Sequence, residues 1–240
     1  MNPDATVCLL PGLLCDASVW ESQRATLARD WRVFIPDFLG LDSLEAMARR
    51  VLDGTSGPIW VAGHSMGGRV ALDVWRLGSE RVAGLALLDT GVHAVSPAEA
   101  GPRLDLVRRS YAEGMEAVAD AWLPPMLYPD RINDAALVEP LRAMIRRATP
   151  AQFEGQQRAL IGRPDASDYL PRITCPTAVI CGRQDAWSTL AQHEAMAEAI
   201  SGATLTPIER CGHMSTVERP GEVTAALEAW LERSVAARAM

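Results

Sequence analysis

The sequence predicts an α/β chain: a mostly parallel sheet of about six strands flanked by helices, with a helical insertion near its middle. Three observations carry this. Short apolar runs alternate with helical patterns over the first ninety residues or so. The alternation stops from about residue 96 to 168, where helical patterns continue without a convincing strand, and it resumes near Thr177. The run Val82 to Leu88 is continuous and apolar rather than alternating in polarity, as a strand covered on both faces requires.

In chain order, Thr6-Val7-Cys8-Leu9-Leu10 is the first strand. Asp16 can cap a helix carrying Val19, Trp20 and Leu27 on one side. Trp31 to Ile35 is the second strand, and a helix over about Leu44 to Leu52 follows. Ile59 to Gly63 is the third strand, and Gly68-Arg69-Val70-Ala71-Leu72 opens the next helix. Val82 to Leu88 is the fourth strand. Pro124-Pro125 and Pro150 break the helical stretch into pieces. Thr177 to Cys181 is the fifth strand, Leu190 to Ile200 a helix, and Ala203 to Ile208 the sixth strand. A last helix carries Val223, Leu227, Trp230 and Leu231 on an apolar face, which can cover the sheet or meet a second subunit. The expected division is a core of residues 1–95 and 169–240 with an insertion of 96–168.

Composition narrows the function classes. The 240 residues are 48% apolar and 22% charged, enough for one sizeable core. A net charge of −7 without a basic run speaks against nucleic acid and anionic membrane surfaces. No secretory leader is evident, and no apolar stretch approaches the ~20 residues of a membrane span. The five cysteines form no C-x-x-C pair and read as reduced thiols of a cytoplasmic protein. No metal-ligand cluster or cofactor motif is apparent.

Gly63-His64-Ser65-Met66-Gly67 fits G-x-S-x-G, set between a strand and a helix. That context puts the serine on a strained turn with its hydroxyl above the sheet. A serine hydroxyl needs a base, and the base needs an acid to hold its tautomer. Of four histidines, His64 adjoins the serine and points elsewhere, and His193 sits mid-helix and reads as a surface residue. His93 lies in the loop after the fourth strand and reads first as a loop residue, with a substrate contact as the lesser alternative. His213 follows the sixth strand, at the carboxyl edge where open α/β sheets bind ligands. It is the candidate base. Asp185, just past the fifth strand, is the leading acid, and Asp89 at the end of the fourth is the runner-up. An oxyanion needs two donors. The N–H of Met66 is one, and the N–H of Leu13, in the Pro11-Gly12-Leu13 loop after the first strand, is the other. Leu14, Trp122, Leu127, Trp187 and Met214 are candidates for an apolar substrate cleft. Arg69, Arg103, Arg108 and Arg109 read as solvated helix faces.

On these motifs the chain resembles the α/β-hydrolase superfamily over nearly its whole length. It is most similar to small cofactor-free carboxylesterases with a helical lid. That group includes pimeloyl-acyl-carrier-protein methyl ester esterases and carbon–carbon bond hydrolases of aromatic ring cleavage. The resemblance implies a serine hydrolase acting on a small ester with an apolar acid part, through Ser65, His213 and Asp185 and without a cofactor. Carbon–carbon bond hydrolysis is the alternative chemistry, and a non-catalytic ligand-binding protein is the alternative class. Two departures stand out. Pro11 occupies the place where many members carry histidine, and the antiparallel hairpin that opens the family's sheet has no room before Thr6. Nothing in the sequence decides between monomer and homodimer.

Overall fold

A computed structural model describes residues 5–239. Its sheet has six strands: β1 (Thr6–Leu10), β2 (Arg32–Phe34), β3 (Ile59–His64), β4 (Val82–Leu88), β5 (Thr177–Gly182) and β6 (Thr204–Ile208). Their order is β2-β1-β3-β4-β5-β6, and every pairing is parallel. β1, β3, β4 and β5 are buried along their whole length, which explains their unbroken apolar sequences. β2 and β6 lie at the edges, and their residues are mostly half-exposed. β2 is shorter than its apolar run suggests, because an edge strand has a partner on one side only.

Helices cover the sheet in two groups. α1 (Glu21–Leu27) packs on α10 (Pro220–Ala239), which crosses β4 and β5. α2 (Leu44–Asp53) packs on α3 (Met66–Gly78), which lies on β3 and β4. The apolar face of α10 therefore covers the sheet. Val223, Leu227, Trp230 and Leu231 are buried there, and the Trp230 Nε1–H donates to the Pro176 carbonyl at 3.0 Å. Asp16 caps a short 3-10 turn, Ala17–Trp20, ahead of α1. Ser43 caps α2 by accepting the Ala46 N–H.

The chain between β4 and β5 is helical. It holds α4 (Pro97–Glu113), α5 (Met115–Trp122), α6 (Ala135–Arg147) and α7 (Pro150–Ile161). α5 ends just before Pro124-Pro125, and α7 starts at Pro150 behind a Thr149–Gln152 capping box. Phe153, Ile145 and Val118 are fully buried, so this layer has apolar packing of its own. β5 then returns to the sheet, followed by α8 (Leu190–Ala199) and, after β6, the one-turn α9 (Ser215–Glu218). Among the described residues, no helix is long and apolar enough to cross a membrane.

Candidate active site

Ser65 sits between the last residue of β3 and the first of α3, with φ 56° and ψ −116°. A non-glycine residue in that region is strained, at a cost of about 1–3 kcal/mol that the surroundings must impose. They do so through close packing. A Cβ on Gly63 would lie 2.1 Å from the Gly67 carbonyl oxygen, and one on Gly67 would lie 2.1 Å from that of Leu10. Only glycine fits at either place. The Ser65 N–H donates to the Leu88 carbonyl at 2.8 Å, and the Thr90 hydroxyl donates to the Ser65 carbonyl at 2.7 Å.

The loops after β5 and β6 bring their side chains to the same edge. The Ser65 hydroxyl donates to His213 Nε2 at 2.8 Å, and His213 Nδ1–H donates to Asp185 Oδ2 at 2.7 Å. Asp185 Oδ1 accepts the N–H groups of Trp187 and Ser188 at 2.8 and 3.0 Å, which fixes the carboxylate plane. His213 and Asp185 are both buried. Burial alone pushes the Asp185 carboxyl up, but the charge and hydrogen bond of His213 outweigh it and hold the carboxyl below its ordinary range. Burial likewise pushes the His213 imidazolium down, and Asp185 reverses this, holding it above its ordinary value. Asp89 makes no hydrogen bond to His213. It accepts the Gly182 N–H at 2.8 Å and pairs with the Ser215 hydroxyl. Burial and the negative Asp185 push it up to about 8.

The loop after β1 lies beside the serine. Among the described residues, neither the Leu13 nor the Met66 N–H meets an acceptor, and both residues line the cavity that Ser65 opens into. Leu14 has φ 60°, and its N–H donates to Gln156 Oε1 of α7 at 2.8 Å. A lid glutamine thus braces the loop that begins with Pro11.

Several supporting residues were not evident in the sequence. His193 is fully buried, not on the surface. It accepts the Thr90 N–H at Nε2, 3.0 Å, and donates from Nδ1 to Thr189 at 2.9 Å, so it braces the residue that holds the Ser65 carbonyl. His64 is buried too, pushed down to about 4 by burial, and donates from Nε2 to the His213 carbonyl at 2.7 Å. Glu218 accepts the N–H groups of Gly212 and Tyr128 at 2.9 and 2.8 Å, tying the His213 loop to the lid. His64 closes an apolar run, the one signal that could have found it, whereas His193 between Gln192 and Glu194 and Glu218 beside Arg219 stand among polar neighbours and carry no such mark. The five cysteines are free, and burial pushes Cys15 up to about 12 and Cys211 higher still. Among the described residues, no group of three His, Cys, Asp or Glu side chains is placed to hold a metal ion.

The cavity over Ser65 measures about 510 Å³, within the range of small-ligand sites. Trp122 and Trp187 line it, with Leu13, Met66 and Met126. Leu14 does not: it faces a separate cavity bounded by Ile35 and Met144. Leu127 and Met214 are buried outside the lining. Helix α4 and the end of α7 fold over the site and bring charge into it. Arg69, Arg103 and Arg163 all line the cavity, whereas Arg108 is exposed and Arg109 half-exposed, each paired with an acid of its own helix outside the cavity.

The sequence profile of the alpha/beta hydrolase family matches residues 9–227. A thermophilic esterase from Thermogutta terrifontis, in its malate-bound form, superposes with a TM-score of 0.88 at 32% identity, over 96% of this chain and 90% of that one. The enol-lactonase of Burkholderia xenovorans superposes with a TM-score of 0.86 at 26% identity, over 95% and 91%. The pimeloyl-acyl-carrier-protein methyl ester esterase of Nitrosomonas europaea is 24% identical over 244 aligned positions, covering 95% of each chain.

Proposed function

Because the chain belongs to the alpha/beta hydrolase family and is a hydrolase, we propose that it cleaves a small carboxylic ester through an acyl-enzyme on Ser65. The observation that carries this reading is the unbroken hydrogen-bond chain from Ser65 Oγ through His213 to Asp185 beneath the cavity. Ser65 Oγ attacks the ester carbonyl while His213 Nε2 takes its proton. Asp185 holds the imidazole in the Nδ1–H tautomer and stabilises the cation that forms. The Leu13 and Met66 N–H groups receive the oxyanion. His213 then returns the proton to the leaving alkoxide, and the alcohol departs. In the second half it takes a proton from water, whose oxygen attacks the acyl carbonyl, and the acid leaves as Ser65 regains its hydrogen.

The test is steady-state hydrolysis of 4-nitrophenyl acetate, butyrate and octanoate. Turnover is expected, faster for the two shorter acids, because the cavity is bounded. A flat response to chain length would argue against a bounded pocket. A second reading, carbon–carbon bond hydrolysis of an acidic ring-cleavage product, is favoured by the arginines in the cavity. Absence of turnover on all three esters would shift the weight to it.

Gln156 offers a narrower check on the oxyanion assignment. Gln156→Leu leaves the buried Leu14 N–H without its acceptor, a loss of about 1–3 kcal/mol. If the strained loop then relaxes, Leu13 no longer presents its N–H. The expected result is a fall in kcat of about tenfold to a hundredfold, with KM nearly unchanged. A rise in KM at constant kcat would place Gln156 in substrate binding instead.

A further inference from the structure

The mechanism leaves one feature of the cavity unused. Three guanidinium groups, Arg69, Arg103 and Arg163, line it against a single carboxylate among them, Glu99. Both Glu99 oxygens are taken. Oε1 accepts from Arg103 at 2.7 Å, and Oε2 accepts from Arg163 at 2.5 Å. Burial would push this carboxyl up, but the two arginines pull it down to about 2, so it stays ionised. Arg163 is further occupied by the His93 and Leu160 carbonyls at 3.0 and 2.9 Å, and Arg103 by Gln157 Oε1 at 2.9 Å.

Arg69 is the cation left over. It makes one hydrogen bond, from Nη1 to the His93 carbonyl at 2.9 Å, and among the described residues it forms no ion pair. It is half-buried. Burial and the charges of Arg163 and Arg103 push it down to about 9, as expected of a guanidinium short of counter-charge. A helix-face arginine with only a structural task would reach water or a carboxylate. This one is held against the backbone instead: a Cβ on Gly91 would lie 3.0 Å from Nη2. Leaving a partly buried charge unpaired is costly, so the arrangement is balanced only when an anion enters.

Arg69 lies on α3 one turn beyond Ser65, about 6 Å along the helix axis. Both open into the same cavity. We propose that Arg69, backed by Arg103 and Arg163, is a carboxylate subsite, so that the preferred substrate is a small ester bearing a free carboxylate a few carbons from the scissile bond. This rests on the esterase reading above and specifies its substrate class. A planar guanidinium with two free N–H faces suits a carboxylate in the forked arrangement.

Two matched pairs test it. Monomethyl glutarate and methyl valerate share a methyl ester and differ in a carboxylate at the acid end. 4-Acetoxybutyrate and butyl acetate differ in one at the alcohol end. For the wild type, kcat/KM for the charged member of one pair should exceed that for its neutral partner at least tenfold, and the pair that responds shows which half of the ester faces Arg69. In Arg69→Met that ratio should fall about tenfold or more, chiefly through KM, and Arg69→Lys should restore part of it. Equal or lower activity on the charged member of both pairs, or a ratio unmoved in Arg69→Met, overturns the proposal. Calorimetric binding to the Ser65→Ala protein separates the two readings. If it binds monomethyl glutarate but not methyl valerate, and Arg69→Met abolishes this, the subsite stands even where no ester is turned over. If esters are cleaved but neither binding nor turnover favours the carboxylate, the subsite falls and the esterase reading stands.

Discussion

Ser65→Ala is expected to lower kcat about a millionfold on every ester the protein cleaves, with the fold intact. The change removes a single oxygen. That oxygen's one side-chain partner is His213 Nε2, and the backbone bonds to Leu88 and Thr90 that hold the turn remain. Alanine has to adopt the same φ of 56°, so the strain in the turn is unchanged. Melting temperature and circular dichroism should therefore match the wild type while turnover collapses. His213→Ala should fall as far, and the double variant no further, because nucleophile and base act as one unit. A residual rate about a thousandfold above water is expected from the oxyanion donors and binding alone. Near-wild-type turnover by Ser65→Ala would end the acyl-enzyme reading.

Much of this architecture was legible because local signals and global fold agree. β1, β3, β4 and β5 are buried on both faces, so each is an apolar run that needs no partner to be recognised. Ser65, Asp185 and His213 lie far apart in sequence, yet each follows a strand of one parallel sheet. Parallel strands all point one way, so the loops at their carboxyl ends gather at one edge, and the motif at Ser65 together with the places of Asp185 and His213 just past their strands named residues that the structure links by hydrogen bonds of 2.8 and 2.7 Å. The glycines at 63 and 67 are legible as part of the G-x-S-x-G pattern, and the packing leaves no room for a Cβ at either.

What was not legible depends on how the helical layer settles over the sheet. Arg69 and Arg103 look like ordinary helix-face charges in sequence, and only the approach of α4 and the end of α7 turns them inward. Gln156, Glu218 and His193 hold backbone groups across separations of 142, 90 and 103 residues. No periodicity encodes such contacts. Leu14 shows the opposite error: its neighbour Leu13 lines the cavity, but the positive φ at Leu14 turns its side chain toward Ile35 and Met144.

Asp185→Asn is the second large effect, a fall in kcat of about ten-thousandfold. The two N–H groups of Trp187 and Ser188 hold one side-chain oxygen of residue 185, so an asparagine must place its carbonyl there. Its NH₂ then faces His213 Nδ1 and donates to it. The imidazole is left with its hydrogen on Nε2, where it cannot take the Ser65 proton. The pH profile moves as well. Asp185 holds His213 above 6.5, so the acid limb of kcat/KM in the wild type should have its midpoint above 6.5. With that charge gone, the limb should move to lower pH. Stability carries the same signature. The depressed Asp185 contributes stability that is lost as pH falls through its folded value, below 3.8. The raised His213 contributes stability that is present below 6.5 and lost as pH rises through its folded value. The stability gap between wild type and Asp185→Asn should therefore be widest near pH 5.5 and narrow by pH 9, as read from urea melts. An acid limb and a stability gap that both ignore the substitution would mean that Asp185 does not set the charge on His213.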